Sequence, residues 1–271
     1  MTTTTLERGT IAEQVRIDTH VRHFAYAPLA QALWSGTSDP CLKVREVGLF
    51  AASQGTMQSR HYKAAGGVPA DTGVRTVKEG LQFYYILAGQ VSLRDAAGTV
   101  TVLRAGDTAN LPRGFAYEFM AFSTDLEMLK IIWPGTPKDA GKFVVTRESP
   151  DAYVAGNGPR RFFTYRDLGT IEATGRAMHI QMVKVVGQPP KTGTGWHYHS
   201  MGQFAMAIAG WATVAFPGQT PLHYVPGDGL CICAGLQHDV PDFSSDYAVL
   251  EMCVPADYDT FATKPPQAII E

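Results

Sequence analysis

No stretch of this 271-residue chain reaches the roughly 20 consecutive apolar residues that a membrane-crossing helix needs. The opening Met1-Thr2-Thr3-Thr4-Thr5-Leu6-Glu7-Arg8 has no apolar core of the kind a secretory leader carries. Charge is scarce and balanced: Asp, Glu, Lys and Arg make up 18% of the residues, the signs are mixed along the chain, and the formal net charge is −2. There is thus no basic stripe for nucleic acid or an anionic membrane to follow, and neither is expected as a partner. Cysteine is rare too. Cys41, Cys231, Cys233 and Cys253 do not make a disulfide framework, and Cys231 and Cys233, two apart on one face of a strand, have poor bridging geometry. Reduced, buried thiols in a cytoplasmic protein are the expectation.

What the chain has in quantity is short strand-like runs. Leu81–Leu87, Val100–Leu103, Phe204–Ile208 and Tyr247–Met252 are apolar or alternating, rich in aromatic and β-branched residues, and bounded by Gly, Pro and Asp. Many such runs between regular turn signals indicate an all-β sandwich or barrel. Helix is expected mainly at Thr10–Val15 and in the connection between domains. The Pro- and Gly-containing segment Trp133–Lys142 reads as that connection.

The chain also repeats itself at a shift of 121 positions. Gln82 corresponds to Gln203, Phe83 to Phe204, Gly89 to Gly210, Gly106-Asp107 to Gly227-Asp228, and Gly114 to Gly235. Upstream, Met57, Lys63, Gly66 and Pro69 correspond to Met178, Lys184, Gly187 and Pro190. A gapless shift over some sixty residues means one structural unit used twice, and each copy is long enough to be a domain. The division expected is an N-terminal arm over 1–40, a first domain over 41–140 and a second over 141–271.

The second copy carries the chemistry. In an extended strand, residues two apart share a face about 7 Å apart, so His197 and His199 of Gly195-Trp196-His197-Tyr198-His199 point the same way. A third imidazole, His238, follows 39 residues later in Gly235-Leu236-Gln237-His238, beyond the turn signals Pro217-Gly218-Gln219 and Pro226-Gly227-Asp228. A neighbouring strand can bring it back to the same point. At the corresponding positions the first copy has Thr76, Lys78 and Tyr117, which is no usual ligand set for a divalent transition metal.

These residues resemble the two conserved motifs of the cupin superfamily. The first is G-x5-H-x-H-x(3,4)-E-x6-G; here His197, His199 and Gly210 are in place, Gln203 stands for the glutamate and Lys191 for the opening glycine. The second is G-x5-P-x-G-x2-H-x3-N; here Gly227, Gly235 and His238 are in place, with Cys233 for the proline and Asp242 for the asparagine. The first copy keeps Gly106, Pro112 and Gly114 of the second motif. The resemblance implies a bicupin: two tandem jelly-roll barrels with a few short helices, the N-terminal one degenerate and the C-terminal one binding metal. It also implies a homo-oligomer, a dimer first of all, because barrels of this family pair edge strands or swap N-terminal segments, and the 1–40 arm suits packing on a neighbour.

The resemblance implies a divalent metal at His197, His199 and His238, Fe(II) above Mn, Ni, Co or Zn. Gln203 either ligates through its weakly donating carbonyl oxygen or hydrogen-bonds a histidine or the substrate. Three neutral imidazoles leave the ion its full charge, which suits an anionic or enolisable substrate that chelates it. Bicupins with one active and one degenerate barrel occur among dioxygenases that cleave aromatic rings and C–C bonds. The function this implies is a metal-dependent dioxygenase of a small enolisable or aromatic substrate. Two alternatives stand beside it: a redox-neutral lyase, isomerase or hydrolase at the same metal, and a non-catalytic small-molecule binding cupin. Phe204, His179, Gln181 and Cys233 are the candidates for the pocket wall. His61 and His223 read as hydrogen-bonded core residues, as does His179 if it does not line the cavity. Among acidic residues near the motifs, Asp239, Asp242 and Glu251 have no direction that sequence alone assigns, so no general base is named.

Overall fold

Strands dominate the computed structural model, which describes residues 21–66, 73–137, 141–188 and 190–266. The expected helix at Thr10–Val15 falls outside the described residues; among the described residues helix is confined to Leu49–Ala52, Thr170–Thr174 and single 3-10 turns.

The 121-residue repeat is a repeat of structure. Gln58–Ala64 has its counterpart in His179–Val185, Leu81–Ala88 in Gly202–Ala209, and Glu127–Trp133 in Ala248–Val254, each pair shifted by 121 at both ends. Gly89 and Gly210 close equivalent turns at φ +67° and +62°, and a β-carbon on either would sit 2.3 or 2.2 Å from the hydroxyl of Ser123 or Ser244. Both turns need the left-handed backbone and the missing side chain at once.

Each half is a barrel built on one seven-stranded antiparallel sheet, joined by a four-stranded sheet in the first half and by a three-stranded and a two-stranded sheet in the second. The central strands are buried on both faces. In Leu81–Ala88 the residues Leu81, Phe83 and Tyr85 face a core shared with the other barrel, while Tyr84 and Ile86 face the interior of their own. In Gly202–Ala209, Phe204 and Met206 enter the shared core and Ala205 and Ala207 the barrel interior. A strand covered on both faces loses the polar half of its alternation, so it reads as a continuous apolar run.

The two barrels exchange edge strands. Val144–Thr146, which precedes the second barrel, pairs with Thr108–Pro112 of the first, and Ala25–Ala27, which precedes the first, pairs with Gly229–Ile232 of the second. The repeated Gly-Asp turn anchors each exchange. Asp107 accepts from Arg147 Nη1 at 2.7 Å and Glu148 N at 3.0 Å; Asp228 accepts from the Tyr26 hydroxyl and from Leu29 N, both at 2.8 Å. Within the 1–40 arm, Ala25–Ala27 and Leu29 thus pack on the second barrel of the same chain, whereas Ser35–Gly36 pairs with Leu42–Glu46 of the first, and residues 1–20 lie outside the described region.

Candidate metal centre

His197–His199 is a three-residue strand with all three residues buried. His197 and His238 face each other across an antiparallel bridge and exchange both backbone hydrogen bonds at 2.9 Å, which puts their imidazole centroids 4.3 Å apart. The turn before His238 is tied down by Gly235 N, which donates to His199 O at 3.0 Å. On the other edge the C-terminal strand Thr260–Ala262 pairs with His197–His199, and Phe261 stacks on Tyr198 with ring centroids 5.0 Å apart. Tyr198 is thereby held on the side opposite the histidines.

One ligand atom from each of His197, His199 and His238 lies within 4.8 Å of the others, and among the described residues no Cys, Asp or Glu joins this cluster. Each Nδ1 is already engaged: that of His197 with Gly195 O at 2.6 Å, of His199 with Thr260 Oγ1 at 2.9 Å, and of His238 with Leu236 O at 3.0 Å. This leaves the three Nε2 atoms as the free donors and sets the ring orientations, the usual role of an outer partner at a metal-binding imidazole. Burial pushes His197 down to about 3, with His238 and Arg160 adding to it. It pushes His199 to about 2, helped by His238 and His197, and His238 to about 4. Three neutral imidazoles with unprotonated, convergent nitrogens are a donor set that fits a divalent first-row metal.

The histidines line a small inner cavity of about 70 Å³ with Gln203, Glu251, Arg160, Thr194 and apolar residues such as Val249 and Ile232. Arg160, Thr194 and His197 also line an open vestibule of about 650 Å³, which Trp196, Tyr165 and Ala262 border. The Gln203 amide nitrogen lies 3.8 Å from Cys253 Sγ, and Tyr258 meets the His199 ring edge-on at 5.5 Å. Burial raises the Glu251 carboxyl, with Arg160, the Gln181 amide and His179 opposing it.

The pocket-wall expectations need correction. Phe204 does not line the cavity: fully buried, it packs in the core between the barrels, because it sits one residue out of phase with Gln203 and side chains alternate along a strand. Cys233 follows Ile232, the end of the Gly229–Ile232 strand, and its carbonyl accepts from Leu236 N at 3.2 Å; it belongs to the turn and is not among the cavity-lining residues. His179 stands at the start of its strand with Nε2 3.3 Å from Asp167 Oδ1, short of the cavity. Gln181 is absent from the lining as well, but its amide donates to Glu251 Oε2 at 3.2 Å, so it touches the site through that carboxyl. His61 is a buried core residue as expected, between Arg45 Nε at 3.2 Å and Glu127 Oε2 at 2.8 Å.

Sequence reasoning missed Arg160, Thr194, Tyr258 and Thr260. Arg160 and the Tyr258–Thr260 segment lie outside both motifs, Arg160 between the strands Val154–Ala155 and Phe163–Asp167 and the other beyond Ala248–Val254, so no local spacing marks them. Glu251 was within reach, since its neighbours Leu250 and Met252 face the shared core and leave residue 251 the inward face.

In the first barrel the place of the histidines is filled differently. The Tyr117 hydroxyl, at the position of His238, meets the Tyr84 hydroxyl at 2.7 Å and donates to Gln82 Oε1 at 2.9 Å. These three side chains satisfy one another where the second barrel leaves nitrogen donors open.

No family model and no curated protein matches the sequence. Solved structures do match in fold. A putative glyoxylate-induced protein from Pseudomonas aeruginosa is 13% identical, with 94% of this chain and 100% of that one covered at a TM-score of 0.64. Protein Ylba from E. coli is 11% identical, with 93% and 98% covered at 0.64. Oxalate decarboxylase from Lactobacillus farciminis, solved as a formate complex, is 13% identical, with 88% of each chain covered at 0.59. The chain thus has the bicupin fold, and among its described residues a metal-competent histidine cluster occurs in the C-terminal barrel.

Proposed function

We propose that this protein is a metal-dependent enzyme that uses dioxygen to cleave or oxidise a small anionic, enolisable substrate at the second barrel. The observation that carries this reading is a convergent set of three buried, neutral imidazoles that no carboxylate of the described residues joins. Fe(II) held there by His197, His199 and His238 would keep its charge, chelate an enolate or a carboxylate with an adjacent oxygen, and supply the activation of dioxygen.

The chain's own residues give the substrate its shape. The inner cavity has room for the chelating end of a ligand and little more, so the body of the substrate extends into the vestibule beside Trp196, Tyr165 and Ala262. Arg160 borders both spaces, and its guanidinium suits a substrate carboxylate at the threshold. Glu251, protonated more readily than an ordinary carboxyl, is placed to give a proton to the bound substrate or take one from it. Gln203, which lines the same cavity, offers a neutral amide, either as a weak ligand or as a hydrogen-bonding group beside the histidines or the substrate.

A redox-neutral second reading, lyase, isomerase or hydrolase, is favoured by Glu251, a proton carrier that oxygen chemistry does not require. Metal analysis by plasma mass spectrometry on untagged protein, followed by an oxygen electrode with 2-hydroxy acids, 2-oxo acids and β-diketones, separates the two. About one iron per chain and substrate-dependent oxygen uptake, both lost in His197→Ala, are expected. Turnover at the same rate without oxygen would transfer the assignment to the redox-neutral class. Absence of any product with tight co-purification of a ligand would transfer it to a binding protein.

A further inference from the structure

The barrel that lacks the histidines has a roomy pocket, partly open to solvent and lined by residues of its interior. The first barrel holds a cavity of about 630 Å³, against about 70 Å³ at the metal centre. Its apolar lining includes Leu42, Val91, Phe119, Phe122 and Met128, and its cationic lining includes Lys130, Arg75 and Arg60. Lys130 and Met128 share one face of Glu127–Trp133, and Met128 belongs to the interior core of the first barrel while Leu129 and Ile131 face the shared core. By the alternation of side chains Lys130 therefore points inward, where its Nζ lies 5.3 Å from the centre of the Tyr84 ring.

Arg60 is compensated, its Nε being 2.7 Å from Glu46 Oε1. Among the described residues neither Lys130 nor Arg75 takes part in an ion pair. Burial, with Arg75 and Arg60 adding to it, lowers the Lys130 ammonium to about 8. The carboxylates that line the same space are engaged elsewhere, Glu46 with Arg60 and Asp39 with the Cys41 amide at 2.9 Å; two half-buried cations without an ion-pair partner facing this space form a site for an anion supplied from outside. The repeat makes the same point by contrast. Lys130 occupies the position of Glu251 in the second barrel, so the metal-competent barrel puts an acid at this inward position and the other barrel puts a base.

We propose that the first barrel is a metal-free binding site for a small organic carboxylate, with the head group between Lys130 and Arg75 and an apolar, preferably aromatic, body against Val91, Phe119 and Met128. The class follows from the lining: a free inorganic anion would leave the apolar wall uncovered, and a neutral apolar ligand would leave both cations uncompensated.

The test is a calorimetric titration of the full-length protein with 2-naphthoate and with the uncharged 2-naphthamide. The expected result is saturable binding of about one naphthoate per chain, with the amide at least about tenfold weaker, the scale of one charge-assisted hydrogen bond. Lys130→Met should lose about tenfold or more in naphthoate affinity and Lys130→Arg should recover most of it, while His197→Ala, which empties the metal centre, should leave it unchanged. Equal affinity for acid and amide, undiminished binding in Lys130→Met, loss of binding in His197→Ala, or no saturable binding by the wild type would each overturn the proposal. The His197→Ala arm separates this site from the reading of the second barrel, which stands or falls on its own.

Discussion

Replacing Phe204 by alanine is expected to loosen the whole molecule without touching the metal centre. The side chain is 0% exposed, its strand neighbours are Cys231 and Met252, and it belongs to the core that joins the two sheets. Truncating a buried phenylalanine in such a place costs about 3–5 kcal/mol, the sum of lost burial and the cavity left behind. Unfolding entropy of roughly 2.1 cal/mol/K per residue gives about 0.57 kcal/mol/K for a chain of 271 residues. Melting should then fall by about 5–9 °C. The neighbouring Gln203→Ala change removes a side chain that faces the other way, whose amide nitrogen lies 3.8 Å from a thiol sulfur; it should cost under about 1 kcal/mol, or less than about 2 °C. Differential scanning calorimetry of both variants, with metal content measured beside it, checks the assignment of faces. A Phe204→Ala protein that melts with the wild type but has lost metal or substrate affinity would refute it, because the phenyl ring would then have to line the cavity.

Three further outcomes follow from the centre itself. Removing any one of its imidazoles, for example in His238→Ala, should abolish stoichiometric metal while the far-ultraviolet circular dichroism stays that of the wild type, since none of the three holds the barrel core together. Burial raises Glu251 in the fold above its ordinary carboxylate value of 4.5, so its contribution to stability is complete below that value and is lost as pH rises through the raised one. Metal-free Glu251→Gln should accordingly melt above the wild type at neutral pH, and the gap should close below about pH 4, as thermal scans across pH would record. Arg160→Gln should lower kcat/KM for an anionic substrate by about 10- to 150-fold, the equivalent of one charge-assisted hydrogen bond of about 1.5–3 kcal/mol. Because Arg160 holds the Glu251 carboxyl down, the same variant should shift any kinetic limb governed by Glu251 to higher pH.

Much of the architecture was legible in the sequence, for a physical reason that differs from element to element. The duplication shows because residues under strict backbone constraint recur at one spacing: Gly89 and Gly210 at turns where a β-carbon would collide, and Asp107 and Asp228 where a carboxylate ties down an exchanged strand. The His197, His199 and His238 set shows because two-residue alternation and glycine-framed turns are local properties that every strand must express. Parity along a strand is equally local, and it places Phe204 out of phase with Gln203. Which face meets solvent, a cavity or another sheet is not local, and here both faces of Gly202–Ala209 are covered. Only the packing of one barrel on the other decided that Phe204 belongs to a shared core. The tertiary structure also decided the company of the histidines. Arg160 reaches them from before the first motif and Tyr258 and Thr260 from after the second, and pairings between such segments join residues whose separation leaves no periodic trace. The same pairings turned Lys130, one more charged residue in an apolar strand when read along the chain, into an inward-facing cation without a counter-charge.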